Sequence, residues 1–600
     1  MIPSLAIDIP IIVIFLFLSL AVGRRAINKL LVPGNAELIV SVALGLFIIS
    51  YATLLLGYAG LLYAWIFRAL AVIGLFVERK SIYAAANAIL LRVRKLEFSR
   101  HEKYILAALI VPVVFNFLYN YCPPVADDEI ATHLAMPAMW EMRHAIYSPP
   151  GMHAQYMPLG ISMLYTCLTV LGKIQTARFF HYILGLLCLG ALYILGRKVF
   201  DRTTALLGCL IFYSMPMTAS LSGVAYTDFG TLLYALVSVY CFLEWRGKGE
   251  SVYLYLSAIC AGAQICGKYT AYPLIAILPA CVIFDNKMRI CVRLKYAIIF
   301  LVLAGLMFSP YLIRNTILTG NPLYPAKILG LNYNEILYHI YLNNESSVSD
   351  LISLILSSDK YAVIWGTGPL FLAFIPFVAF IKNRTRELYI LLAISVFTFL
   401  LLYLGHISWM LTRHSILSFA LLSPVAALVI RELSGREGLR RFVPATVIAA
   451  LASGMLFSAY FGIKRIPVFL GIQSKEDYFS TQYDIAENSD MVGYINKHIP
   501  PGSGIFFLGF PTPPNLNYLN FRAYGMDMYP VSFYAGGINA VMSDFRQRNI
   551  QYMVYLKGVF REDSGSVIYD VARPIRINWF KKEYFDEIWS NKSAILYKII

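Results

Sequence analysis

Apolar runs of roughly 20 residues, each long enough to cross a hydrocarbon layer of about 30 Å as a helix, recur along this chain and dictate what it can fold into. They lie near 5–23, 36–56, 58–77, 104–121, 176–196, 204–220, 229–245, 252–266, 270–284, 296–313, 362–381, 387–404, 414–430 and 442–461. Of the 600 residues 59% are hydrophobic and only 14% charged, and mean hydropathy is +0.65. A soluble chain this apolar could not cover its surface, so the class is a polytopic membrane protein. The sequence predicts an all-α membrane domain of about 14 transmembrane helices, 14 being the number of runs above.

Basic residues orient the spans. Alternate connections carry clusters: Arg24, Arg25 and Lys29; Arg79 to Lys103; Arg197, Lys198 and Arg202; Lys287 to Lys295; Lys382, Arg384 and Arg386; Arg431 to Arg441. The opposite connections hold only scattered basics such as Arg143, Lys173, Lys268, Arg314 and Arg413. The positive-inside rule places the clusters in the cytoplasm and both termini outside. Met1 to Pro3 has no positive n-region, so the first span reads as an anchor, not a cleaved signal. Pro158 to Gly172 is apolar but too short to cross and reads as a re-entrant or juxtamembrane helix. The net charge of +16 is thus a matter of topology, and no nucleic-acid partner is expected. Nine cysteines, none beyond Cys291 and none in a metal-like spacing, argue against a disulfide framework or a zinc site.

Acids mark the outer face. Asp127, Asp128 and Glu129 follow the 104–121 span directly, and Asp228 stands at the edge of another. Carboxylates at a membrane boundary are costly to desolvate and sit where chemistry or ion binding needs them. Beyond about 465 the character changes, with turn signals at 499–504 and 510–514. Met491 to His498 and Ile538 to Arg548 read as helical, Ile505 to Leu508 and Tyr552 to Leu556 as buried strands. The division expected is 1–103 for the N-terminal helices and cytoplasmic linker, 104–464 for a catalytic membrane domain, and 465–600 for a small extracytoplasmic α/β domain. No phosphate-binding glycine loop occurs, which excludes an ATP-driven pump of that type.

Asp128-Glu129, with His133 and Pro137 after it, resembles the Asp-Glu signature of GT-C glycosyltransferases. The similarity continues in Tyr226-Thr-Asp228-Phe, in Gly262-Ala-Gln-Ile-Cys-Gly267-Lys268-Tyr and in Arg314-Asn-Thr-Ile-Leu-Thr-Gly320-Asn321-Pro322-Leu-Tyr324-Pro, and ends in Thr412-Arg413-His-Ser. These membrane enzymes, among them the protein mannosyltransferases and the aminoarabinose transferase of lipid A, use polyprenyl- or dolichyl-phosphate sugars. Two departures stand out: Tyr156-Met157-Pro158 replaces a Lys-Pro-Pro element, removing a basic phosphate contact, and three spans precede the one leading to Asp128.

The resemblance implies an inverting hexosyl- or pentosyltransferase of a bacterial or archaeal-type cytoplasmic membrane. Its partners would be membrane lipid, a polyprenyl-phosphate-linked sugar donor and an envelope glycan, lipid or protein acceptor. A transporter or flippase of lipid-linked sugars is the alternative, although no internal repeat supports it. In this reading Asp128 is the general base, Glu129 orients the acceptor or holds a cation, and Asp228 is a second acid in the same cavity. Repulsion among Asp127, Asp128 and Glu129 is expected to raise one of their pKa values. Lys268, Arg314 and Arg413 suit the phosphate, with Asp127, His133 and Tyr324 as further substrate contacts. No cofactor is required; a divalent cation on Asp128, Glu129 and His133 is left open. Each residue has a plainer alternative: helix-start acids for 127–129, an N-cap for Asp228, snorkelling for Lys268 and Arg413, a loop histidine for His133 and packing for Tyr324.

Overall fold

Glycines decide how the first two helices meet. In the computed structural model Ile2–Ile27 and Glu37–Tyr58 approach so closely that a Cβ on Gly23 would strike the backbone of Ser41, and one on Gly45 the backbone of Ser19. Small residues at such crossings let membrane helices pack backbone to backbone. The structure describes residues 2–27, 36–126, 128–148, 153–285, 288–334, 366–382, 384–404, 412–481, 483–508, 522–525, 538–557 and 584–600.

Arg100–Asn120 starts in a capping box, with Ser99 and Glu102 satisfying each other's backbone N–H. Arg202 Nε then binds Glu102 at 2.7 Å, tying this helix to Arg202–Tyr213. That helix breaks at Ser214-Met215, because Pro216 forces Met215 into an extended conformation (ψ 138°), and resumes as Pro216–Ser222 at 71°. The core element is Asp228–Lys248, buried without interruption from Asp228 to Val239 and packed against Ile174–Val199 and Ser251–Ile265.

Among the described residues eight helices are long and apolar enough to cross a membrane, nine if the bent pair is one span. By length and hydropathy this accounts for eight or nine of the about 14 spans expected. Three of the runs form Ala64–Val77, Ser251–Ile265 and Pro273–Ile283, of 14, 15 and 11 residues, which rise only about 17–23 Å. The 229–245 run lies in a 21-residue helix that carries Asp228, Glu244, Arg246 and Lys248 near its ends. The 362–381 run is described only from 366, as Leu370–Phe374 followed by the tighter turn Ile375–Phe380. Gly160–Leu171 is buried from Gly160 to Val170, in keeping with the reading of 158–172 as an element that does not cross.

The small C-terminal unit holds a five-stranded sheet. Its strands are β1 (Gly504–Leu508), β2 (Arg522–Gly525), β3 (Ile550–Leu556), β4 (Phe585–Ser590) and β5 (Ala594–Ile599), in the order β2-β1-β3-β5-β4. β1 lies parallel to β2 and β3, whereas β5 is antiparallel to β3 and β4. The helix Ile538–Gln547 covers the sheet, with Phe545 5.0 Å from the Phe506 ring. The root of this unit reaches the membrane domain: Val468 and Tyr478 pack on Cys122, and Phe469 lies 6.3 Å from Tyr121, at the base of the acidic loop.

Candidate active site

Pro123 and Pro124 cannot continue the Arg100–Asn120 helix, and the chain re-enters helix through a wide π-type turn, Glu129–His133, closed by Leu134 N–H donating to Glu129 O at 2.8 Å. Neighbouring residues on such a turn diverge by roughly 100°, and the two acids separate accordingly. Asp128 faces outward with its side chain 45% exposed, and Arg413 Nη2 binds its Oδ2 at 2.9 Å. Glu129 faces inward, fully buried, its Oε1 accepting from Arg178 Nε at 2.6 Å and from Ala225 N–H at 2.7 Å.

Their electrostatics follow from this split. Partial burial works to raise the Asp128 carboxyl, but the Arg413 guanidinium, with His133 and Lys268 behind it, holds it below the usual carboxylate range. The expected upward shift within the acidic run is thus reversed for Asp128, because a cation 2.9 Å away outweighs its neighbours. His133, its ring 5.7 Å from Tyr226, is pushed down to about 4 by burial against the pull of Asp128.

Asp228 completes the cluster from the start of its helix. Lys268 Nζ binds its Oδ1 at 3.0 Å, and Arg413, stacked 4.5 Å from the Tyr226 ring, lies within electrostatic reach of both Asp128 and Asp228. Two glycines make the placement of Lys268 achievable. A Cβ at Gly262 would come 2.7 Å from Ala304 O, and one at Gly267 2.6 Å from Thr231. The helix can therefore press into its neighbours and end where the lysine meets Asp228. Two carboxylates and two cations so form one charge-balanced patch, in which an incoming phosphate can replace a carboxylate on Arg413 or Lys268.

A buried frame holds this patch. Arg178, 1% exposed, donates to the carbonyls of Asn120, Cys122 and Gly223 as well as to Glu129. Tyr165 hydroxyl donates to Tyr226 O and is bonded to His181 Nδ1 at 2.7 Å, while His181 Nε2 meets Leu221 O at 3.0 Å. These bonds fix the 221–226 turn that delivers Asp228. Sequence reasoning missed Arg178, Tyr165 and His181, and named Tyr226 only as part of a motif. Arg178 and His181 did leave a signal: ionisable residues inside the apolar 176–196 run.

Several expected contacts fall elsewhere. Glu129, expected to orient the acceptor or hold a cation, has its bound oxygen on Arg178 and Ala225. Arg314 does not join Lys268 and Arg413. Its Nη2 donates to Met157 O at 2.9 Å, and its neighbour Asn315 donates to Tyr156 O at 2.9 Å and to Tyr324 O at 3.2 Å. The Arg314–Pro325 stretch is a brace for backbone, with Tyr324 set edge-on to Tyr156 at 4.9 Å. Asp127 lies outside the described residues. No group of three His, Cys, Asp or Glu side chains able to hold a metal occurs among the described residues, so Asp128, Glu129 and His133 are not gathered as a cation site.

Comparison with known proteins agrees with this architecture. The family described as dolichyl-phosphate-mannose-protein mannosyltransferase matches residues 157–313. The structure of ArnT from Cupriavidus metallidurans bound to undecaprenyl phosphate is similar at a TM-score of 0.54 and 14% identity, over 83% of this chain and 98% of that one. Its apo form gives 0.53 and 13%, over 84% and 99%. The archaeal oligosaccharyltransferase AglB from Archaeoglobus fulgidus is more distant, at 0.47 and 13% over 76% and 70%. No curated protein sequence matches the chain. The fold is similar to that of the ArnT structures.

Proposed function

We propose that this chain is a membrane glycosyltransferase that moves one sugar from a polyprenyl-phosphate donor to a cell-envelope glycan, lipid or protein. The observation that carries the reading is the Asp128–Arg413 pair, set in the first outer loop of a fold shared with a protein whose structure holds undecaprenyl phosphate. The family match over 157–313 takes in Asp228 and Lys268 and supports transfer over transport. Residues 104–464 form the catalytic domain in this reading, 1–103 the preceding helices and linker, and 465–600 a unit that engages the acceptor or covers the site. The basic clusters support a site on the extracytoplasmic face of a cytoplasmic membrane.

The geometry assigns each group a task. Arg413 and Lys268 take the donor phosphate, releasing Asp128 from its ion pair. Without that pair the Asp128 carboxylate becomes more basic and removes the proton of an acceptor hydroxyl. The acceptor oxygen bonds to the anomeric carbon from the face opposite the phosphate, the carbon–oxygen bond to phosphate breaks, and the electron pair leaves on the polyprenyl phosphate. One displacement inverts the anomeric centre. The phosphate charge that grows as the bond breaks is met by the same two cations. Asp228 holds Lys268 in place and faces the sugar side.

The test is transfer by purified protein in proteoliposomes supplied with labelled undecaprenyl-phosphate sugars and an envelope extract. Label is expected to become covalently bound to an acceptor. Movement of the intact lipid-linked sugar across the bilayer without transfer would establish the transporter instead.

A further inference from the structure

Beside the phosphate-facing cations lies a cavity of about 20 Å³ lined by Asp228, Gln264, Lys268, Thr398, Arg413 and His414. It is about the size of one water molecule or one hydroxyl group. Asp228, Gln264 and Thr398 are only 2%, 5% and 3% exposed. Asp228 Oδ2, Gln264 Oε1, Thr398 Oγ1 and His414 Nδ1 are all buried with no hydrogen-bond partner among the described residues. Orphaned polar atoms in an interior are costly, each leaving a desolvation penalty of about 1–3 kcal/mol, and they are rare in native structures. Here four occur around one space, contributed by three separate helices, Asp228–Lys248, Ser251–Ile265 and Arg386–Leu404, and by the turn Thr412–Ser415.

The chemistry of these atoms selects their guest. Asp228 Oδ2 and Gln264 Oε1 can only accept, so the guest must donate; the Thr398 hydroxyl can donate, so a guest that also accepts is best satisfied. A protonated amine donates but would sit against Lys268 and Arg413. A carboxylate accepts but would face Asp228, whose other oxygen already holds Lys268 at 3.0 Å. A neutral hydroxyl matches both.

We infer that this cavity is the socket for one hydroxyl of the donor sugar, and that the sugar transferred is a neutral hydroxylated one, not a cationic amino sugar. The inference rests on the glycosyltransferase reading above and deepens it. Placing the sugar here puts its anomeric phosphate toward Arg413 and Lys268, on the Asp128 side. The missing Lys-Pro-Pro basic residue at Tyr156-Met157-Pro158 then leaves the phosphate to these two cations.

The experiment measures kcat/KM in proteoliposomes with undecaprenyl-phosphate glucose, mannose and galactose, with monodeoxy analogues of the best of them, and with an undecaprenyl-phosphate 4-amino-4-deoxypentose. A buried site built to bond a substrate hydroxyl rejects the analogue lacking it by up to about 10⁴–10⁵-fold. Wild type is expected to prefer one hexose over one of its deoxy analogues by at least about 100-fold. Gln264→Leu and Thr398→Val should collapse that ratio to about 10-fold or less, while Thr398→Ser keeps it. Neither apolar substitution should lower thermal stability, since each removes an orphaned atom; a general loss of structure would lower stability and leave the ratio intact. Preference for the amino sugar, or a deoxy ratio unmoved in Gln264→Leu and Thr398→Val, overturns this inference alone. Absence of transfer from every donor overturns the glycosyltransferase reading, and this inference with it.

Discussion

The helix Asp228–Lys248 carries buried acids toward both ends, Asp228 and Glu244, about 24 Å apart along its axis, and the two ends are built differently. At the far end the two buried carboxylates, Glu244 and Asp285, are saturated. Glu244 gives one oxygen to Lys198 at 2.9 Å and the other to Lys248 at 3.0 Å. Asp285 likewise divides itself between Arg246 at 2.9 Å and Arg386 at 3.1 Å. At the Asp228 end each acid is half committed: Asp228 Oδ2 and Glu129 Oε2 have no hydrogen-bond partner among the described residues, and Asp128 is 45% exposed beside its single arginine. Saturated pairs tie helices together. Half-satisfied ones hold capacity for something that arrives, which is the arrangement a substrate site requires.

The contrast is easiest to break at Arg178, the cation that holds the buried Glu129 in the half-satisfied region. Removing it leaves Glu129 buried and unpaired, a defect that costs about 3–5 kcal/mol. Arg178→Met should therefore lower thermal stability sharply in detergent or nanodiscs; a shift below about 1 kcal/mol would mean that the pair does not hold the loop. Arg413→Ala acts on a phosphate contact already present in the ground state. A hydrogen bond to a charged group contributes about 1.5–3 kcal/mol, so donor affinity should weaken by about 10- to 150-fold. Unchanged donor binding would remove Arg413 from the phosphate site.

A subtler effect comes from pH. His133 is held neutral, with its pKa lowered from 6.5 to about 4. Between those values the unfolded chain binds the proton and the folded one does not, so this group's stability contribution is complete above about 6.5 and is lost as pH falls toward 4. Thermal stability should rise with pH across that window, and less steeply in His133→Gln; identical slopes would contradict the assignment. Asp128, held below the ordinary range, stays ionised throughout the same window. The smallest effect is expected in the tail. Asp544 binds Arg548, one turn away at 2.8 Å, and Asp544→Asn should leave turnover within a few-fold of wild type.

What was legible in the sequence was what a residue's type and place along the chain reveal. Asp128, Asp228, Lys268 and Arg413 could be marked because ionisable residues at span edges are conspicuous, and the structure does bring these four together. Their pairing was not legible, since Arg413 lies 285 positions from Asp128 and only the packing of helices joins them. For the same reason Glu129 and Asp128 looked equivalent until the π-type turn sent them to opposite sides. The contacts of Arg314 were not legible, because an arginine at a span end looks the same whether or not it donates, as here, to the carbonyl of Met157. Strands β4 and β5 were missed: Phe585–Ser590 is largely exposed, with only Phe585 buried, and gives no strong apolar alternation. Helix length was not legible either, since three of the apolar runs form helices of only 14, 15 and 11 residues.

The central claim is that the half-satisfied acids Asp128 and Asp228 serve the reaction and the saturated ones do not. Turnover per folded molecule, measured side by side for Asp128→Asn and Asp285→Asn, tests it most directly. A positioned general base contributes about 10²–10⁴-fold, so Asp128→Asn should lose turnover by that order with donor binding no weaker than in wild type, while folded Asp285→Asn stays within a few-fold of wild type. Near-normal turnover in Asp128→Asn, or a loss in Asp285→Asn as large as the one predicted for Asp128→Asn, would contradict it.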